Sequence, residues 1–372
     1  MLARPGTDTE RMSRPTSACI DLDALRRNLL RIRELAPRSR VMAVVKADGY
    51  GHGLERVAHA LEGADAFGVA AISDAERLRA AGIAKRIVLL SGFVEPGDLP
   101  LLQRLRLDTV VHHESQLAML EAASLLPDQG RIQAWLKLNT GMNRLGFPAD
   151  AAGAAHARLR ALPIVGDEIC LMTHLARSDE FDSAFTLEQC ARFELATAAL
   201  DGPRSLANSA AVLGWPQTHA DWVRPGGALF GLSVVAGRPA SEFGLEAVMT
   251  LGTRVIAVNS VQPGAAVGYG GGFVADRPMR IAITAIGYGD GYPRLAPSGS
   301  PVVVRGVRTR TVGRVSMDLL AIDVTALPEV QVGDRVELWG KQLPVEEVAA
   351  AAGTISYELT CGITRRVRFM ER

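Results

Sequence analysis

Eight short apolar runs, each but the last clearly followed by a helical stretch, alternate along this chain, and near residue 240 the rhythm changes. The runs are 40–46 (RVMAVVK), 64–72, 86–90, 108–112, 131–138, 168–173, 204–207 and 221–224. Residues 40–46 are apolar almost throughout, as a strand buried on both faces must be. Helical patterns such as 74–81, 114–125 and 186–199 lie between them. About eight strands, with helical stretches after all but the last, predict an α/β fold, a closed parallel (β/α)8 barrel of the TIM type. An open doubly wound sheet shows the same alternation, so the count alone does not separate the two.

After about residue 240, runs such as 247–256, 280–286, 302–304 and 335–338 are separated by Gly, Pro and Asp turns. That is the pattern of a mainly β C-terminal domain. The expected division is a flexible tail over 1–15, a barrel over 16–240 and a β-rich domain over 241–372. A length of 372 residues suits a barrel of roughly 250 with a smaller companion. Lys and Arg number 41 against 40 Asp and Glu, so nothing draws the chain to nucleic acid or an anionic membrane. No run reaches the ~18 apolar residues a membrane span needs, and no secretory signal is visible, so a cytoplasmic protein is expected. Cys19, Cys170, Cys190 and Cys361 are scattered without metal-ligand spacing, so reduced thiols and no metal site are expected.

Barrel enzymes place their chemistry at the C-terminal ends of the strands. There the chain sets Lys46, then Lys137, Asn139 and Arg144, then Thr173 and His174, then Asn208 and Ser209, and finally Arg224, Gly226 and Gly227. Cations dominate, so an anionic ligand is expected. Lys46 rises from a buried strand, where desolvation and neighbouring cations lower an amine's pKa and make it a nucleophile. Taken alone, such a lysine more often only snorkels to the rim. Ser209 and Gly226 follow strands seven and eight, where barrels commonly bind phosphate. A helix N-cap is an equal reading for Ser209. Residues 286–294 hold Tyr288 and Tyr292, either as an exposed tyrosine between glycines or as a turn with packed aromatics. Residues 267–273 (VGYGGGF) open no helix and read as a turn.

Eight motifs carry a resemblance: AVVKADGYGHG (43–53), KLNTGMNRLGF (137–147), THLARSDE (173–180), LANSAA (206–211), VRPGGALFGL (223–232), IGYGDGYPR (286–294), VGRVSMDLLAID (312–323) and TISYELTCGITRRV (354–367). In this order they resemble alanine racemase over nearly the whole chain. The resemblance implies a barrel binding pyridoxal 5′-phosphate and a head-to-tail homodimer acting on alanine. It also implies a first strand, about 17–22, that joins the C-terminal domain. Lys46 would be the cofactor lysine and one base, and Tyr288 of the partner subunit the opposite base. Arg224 would face the pyridine nitrogen with His174 behind it, and Tyr50, Ser209, Gly226 and Tyr357 would hold the phosphate, with Asn208 beside them. Arg144 and the Met317 backbone would meet the substrate carboxylate. In the family the position of Lys137 is often carbamylated and orients Arg144, and Asp318 resembles an acid near the second base.

This chain departs from the family in places. Ser316 stands where many members have Cys, Gly289 where Ala is frequent, Phe230 where Tyr is common, and Asp48-Gly49 where Asn-Ala is commoner. None of these removes a catalytic side chain; they bear on substrate breadth and rate. The rival readings are a serine or broad-specificity racemase, a non-catalytic cofactor-binding barrel and a barrel decarboxylase. The last would be expected to set an acid where Arg224 stands. A biosynthetic role, supplying D-alanine for peptidoglycan, and a catabolic one stay equally open.

Overall fold

A computed structural model describes residues 14–125 and 130–372, and all counts below refer to these. The chain divides into two compact units, one of residues 21–248 with 356–361 and 372, the other, among the described residues, of 14–20, 249–355 and 362–371. The expected boundary at 240 thus moves to 248. A short helix, Ser356–Cys361, belongs with the first unit although it lies far along the sequence. Residues 1–13 of the expected tail lie outside the described residues. Arg14 is held by the Asp290 carboxylate and the Ala285 carbonyl.

The strands, in chain order, are β1 (Ser17–Ile20), β2 (Arg40–Val44), β3 (Ala66–Val69), β4 (Arg86–Leu89), β5 (Leu107–Val111), β6 (Ala134–Asn139), β7 (Phe147–Pro148), β8 (Cys170–Met172), β9 (Arg204–Ser205) and β10 (Trp222–Val223). The first unit is a parallel sheet in the order β10-β2-β3-β4-β5-β6-β8-β9, with β7 beside β6. A bridge between Asn208 and Arg224 closes it between β9 and β10. All eight expected strands are present, most of them shortened at their ends, while β5 begins one residue earlier and β6 ends one residue later than expected. Met42, Ala66, Val88, Val110, Trp135, Met172 and Trp222 cluster in its core. Trp135 and Trp222 meet edge to face at 5.5 Å, filling much of the interior with two large side chains. The result is a packed core whose chemistry is confined to the strand ends.

The second unit continues with β11 (Met249–Val261), β12 (Ala266–Val267), β13 (Phe273–Val274), β14 (Met279–Thr284), β15 (Pro301–Val304), β16 (Val307–Val312), β17 (Leu320–Asp323), β18 (Arg335–Trp339) and β19 (Arg368–Glu371). Strand β11 pairs with β18 through its first half and with β14 through its second, with register shifts at Leu251/Gly252 and Val255/Ala257. These irregularities bend the long strand, and the ring β14-β17-β16-β15-β18-β11 closes on itself as an antiparallel barrel. Strand β1 adds to β11 and β19 to β1, so the first strand belongs to this unit. The 267–273 stretch is the turn of the β12–β13 hairpin. No helix among the described residues is long and apolar enough to cross a membrane. All four cysteines are free.

Candidate active site

Lys46 follows β2, and the backbone after it turns left-handed. Ala47, Asp48, Gly49 and Tyr50 have φ between 52° and 63° with ψ between 37° and 53°. A left-handed turn costs an L-residue about 1–2 kcal/mol, so Ala47, Asp48 and Tyr50 together store about 3–6 kcal/mol. Contacts both near and far along the chain offset it. Asp48 pairs with Arg77 at 2.7 Å and accepts from the Leu54 N–H at 3.2 Å, and the Asp48 carbonyl accepts from Gly53 at 2.8 Å. Nothing in KADGYG announces four consecutive left-handed residues, three of them bearing side chains.

The rest of the rim is assembled by ties between strand ends. After β6, the Asn139 Oδ1 accepts from the Gly141 and Asn143 N–H groups, both at 3.0 Å, shaping the loop that carries Arg144. Thr140 and Thr173 join the ends of β6 and β8, hydroxyl to hydroxyl at 2.8 Å. After β9, Asn208 caps the helix Ser209–Gly214 by accepting from the Ala211 N–H at 3.1 Å. The cap is therefore Asn208, and Ser209 is released for another task. Its hydroxyl accepts from the Gly226 N–H at 2.8 Å and the Ala228 N–H at 3.3 Å.

Arg224, 4% exposed, lies beneath this rim. Its guanidinium donates to the Ser205 hydroxyl at 2.6 Å and to the carbonyls of Thr173 at 2.7 Å and Leu206 at 3.2 Å. It also faces the His174 Nδ1 at 3.4 Å. None of these partners is an acid, and burial lowers the guanidinium's pKa to about 10. Around it the cations depress one another. Burial, then Arg224, Arg144 and Lys46, push the Lys137 amine down to about 8. Lys46, open to solvent at the rim, is lowered by the surrounding protein and then by Arg144. Burial and Arg224 hold His174 well below its usual value, so its ring is neutral. Such a set has spare positive charge and calls for an anion.

A cradle lies beside it. A Cβ at Gly226 would stand 2.2 Å from the Tyr50 hydroxyl, and one at Gly227 would stand 2.5 Å from that of Tyr357. Only glycine lets the backbone come this close to the two phenols. Burial pushes both hydroxyls above the usual tyrosine range, so both remain donors at neutral pH. Two phenol donors, backbone N–H groups near a serine hydroxyl and nearby cations form the donor set a phosphate ester requires.

Tyr288, Met317 and Asp318 belong to the other unit. Tyr288 is 39% exposed, while Tyr292 is buried and stacked on Trp339 at 6.2 Å, so each sequence reading of this stretch holds for one tyrosine. The Tyr288 N–H donates to the Ser316 carbonyl at 3.0 Å and the Gly289 N–H to that of Met317 at 2.9 Å, joining the two motifs. Below them two arginines and two aspartates form a ring. Arg14 meets Asp290 at 2.8 Å, Asp290 meets Arg366 at 3.3 Å, Arg366 pairs with Asp318, and Asp318 returns to Arg14 at 3.7 Å. Arg366, then Arg14, hold the Asp318 carboxyl below its usual range. A Cβ at Gly289 would stand 2.2 Å from Arg366 Nη1, so glycine at this position leaves room for the guanidinium. Sequence reasoning missed Arg14, Asp290 and Arg366, as well as Ser205, because their roles are ties to other residues and leave no local signal. Among the described residues, no cluster of three His, Cys, Asp or Glu side chains is placed to hold a metal.

The family model for the alanine racemase N-terminal domain matches residues 20–234, and that for the C-terminal domain matches 248–370. The chain belongs to the alanine racemase family. It is 53% identical to the alanine racemase of Azoarcus sp. strain BH72 over 355 residues, covering 95% of this chain and 98% of that one. It is 52% identical to that of Shewanella loihica over 345 residues, covering 93% and 96%. The crystal structure of the biosynthetic alanine racemase of Pseudomonas aeruginosa superposes with a TM-score of 0.93 at 45% identity, covering 96% and 99%. That of Bartonella henselae, with covalently bound pyridoxal phosphate, superposes at 0.86 and 27% identity, covering 96% and 99%. Membership makes the chain a racemase, an enzyme of the isomerase class.

Proposed function

We propose that the protein interconverts L- and D-alanine with pyridoxal 5′-phosphate, using Lys46 of one subunit and Tyr288 of a second copy as the two bases. The observation that carries this reading is Arg224, a buried guanidinium bonded to Ser205, two carbonyls and His174 with no acid among them. The residues present fit the cofactor. Lys46 supplies the amine, and Ser209, Gly226, Tyr50 and Tyr357 are the donors that would hold its phosphate. When bound, the cofactor supplies the electron sink that lets the Cα proton of an amino acid leave.

The protein's own groups do the rest. Arg224 has donors but no acceptor, so it keeps a proton off a ring nitrogen facing it. That moderates the sink and favours return of the proton to Cα over transfer elsewhere. Arg144 and the Met317 N–H of the second copy, which supplies Tyr288, bind the substrate carboxylate and orient Cα. One base does not serve both faces of a planar centre, so the Lys46 amine moves the proton on one face and the Tyr288 oxygen on the other. His174, neutral and 3.4 Å from the Arg224 guanidinium, packs against that cation, and the Arg14–Asp290–Arg366–Asp318 ring fastens the Tyr288 loop.

The purified protein, incubated with the cofactor and a panel of L-amino acids, should yield D-alanine fastest by chiral chromatography. No D-amino acid at all, or D-serine formed faster than D-alanine, contradicts the proposal. Mixing inactive Lys46→Ala and Tyr288→Phe chains should restore about a quarter of wild-type activity, because half the dimers then carry one intact site. No recovery contradicts the shared site.

A further inference from the structure

His52 is fully buried six residues after Lys46, and nothing above uses it. Its Nδ1 lies 2.9 Å from the Tyr50 carbonyl oxygen and 3.1 Å from that of Gly49. Two acceptors at one ring nitrogen require that nitrogen to carry the hydrogen, so the ring is the Nδ1–H tautomer. Its Nε2 is buried without a hydrogen-bond partner. Packing alone would be served as well by an apolar side chain with no bare nitrogen to desolvate. The two carbonyls explain the histidine. They belong to the left-handed turn; the Gly49 carbonyl also accepts from the His52 backbone N–H at 3.0 Å, and the imidazole brings a donor to the Tyr50 carbonyl beside it. The ring also packs on Phe230 at 4.6 Å, and Phe230 packs on the Tyr50 ring at 4.9 Å.

We propose that His52 is a positioning residue: by donating Nδ1–H to the Gly49 and Tyr50 carbonyls it fastens the left-handed turn, and so fixes the Lys46 amine at one end and the Tyr50 hydroxyl at the other to suit a single cofactor. Burial keeps the ring neutral down to a pKa of about 4, so the donor arrangement holds across the physiological range. The inference rests on the reading of Lys46 and Tyr50 as cofactor-holding groups.

Three variants test it. In His52→Asn the side-chain amide nitrogen sits near the position of Nδ1 and keeps the donor. His52→Leu keeps bulk and removes the donor, and His52→Gln carries the donor one carbon too far. Three readouts apply to each: the dissociation constant for pyridoxal 5′-phosphate by absorbance titration, amide hydrogen exchange over 47–54, and the thermal midpoint. His52→Leu and His52→Gln should weaken cofactor binding about ten-fold or more and speed exchange in the turn, while His52→Asn stays within about three-fold of wild type. If His52→Leu fails to fold, the Asn–Gln pair carries the test. Wild-type affinity in His52→Leu or His52→Gln, or an Asn variant as weak as the Gln variant, overturns the inference. Lys46→Ala serves as control: wild-type affinity and an unchanged visible band in that variant would overturn the functional reading itself, whatever the His52 variants do.

Discussion

Carbon dioxide should react with Lys137 far more readily than with an ordinary lysine. Burial and the charges of Arg224, Arg144 and Lys46 lower its amine from 10.5 to about 8. The folded pKa lies below the unfolded one, so the charged lysine costs stability below about pH 8, and that cost is relieved between about 8 and 10.5. At pH 8 about half of the amine is neutral, against about 0.3% for an ordinary lysine, a ratio on the order of 100. Only the neutral nitrogen has a lone pair to attack carbon dioxide. The new N–C bond forms as the nitrogen releases a proton, and a carbamate anion replaces the amine. That anion then faces the same cations that repelled the ammonium, so attraction replaces repulsion and favours the product. In ¹³C-bicarbonate at pH 8, carbon NMR should show one slowly exchanging carbamate signal that is lost in Lys137→Met. No signal, or an equal signal in the variant, refutes the electrostatic argument. On the proposal that the carbamate orients Arg144, Lys137→Met should raise KM for alanine about ten-fold while leaving cofactor uptake intact.

The other predictions concern the cradle, the cofactor lysine and acid stability. Gly226→Ala places a methyl group against the Tyr50 hydroxyl and should weaken cofactor binding about five-fold or more, read by absorbance titration, from about 1–3 kcal/mol of overpacking. Lys46→Ala should abolish the long-wavelength absorbance of the lysine-bound cofactor while leaving the fold intact by circular dichroism. His52 is held at about 4, below its ordinary 6.5, so the unfolded chain takes up its proton first as pH falls. The fold should therefore lose about 3 kcal/mol between about pH 6.5 and 4 on this account, and urea midpoints of His52→Asn should show a flatter slope across that window.

Much of the fold was legible because a buried parallel strand must be apolar on both faces, and a run such as RVMAVVK has few other uses. The eight barrel strands therefore emerged with only their ends misjudged. Strand ends were overextended because apolar character continues past the last ladder bond, as at Val45, which is buried but lies beyond β2. The rim residues were legible as a list, since chain order assigns them to strand ends. Their interactions were not. That Ser209 binds backbone N–H groups and Asn208 caps the helix depends on which oxygen reaches which amide, and the two adjacent residues are chemically alike on paper. The left-handed turn after Lys46 escaped notice because its cost is met by distant partners, Phe230 and Arg77 among them. The arginine–aspartate ring under Tyr288 likewise joins positions 14, 290, 318 and 366, which no local window spans.

Hydrogen exchange at Cα in heavy water, followed separately from each enantiomer of alanine, tests the two-base account most directly. With Tyr288→Phe, wash-in of deuterium should collapse for one enantiomer and persist for the other, because only one face has lost its base. Equal loss from both enantiomers would contradict a lysine and a tyrosine working on opposite faces.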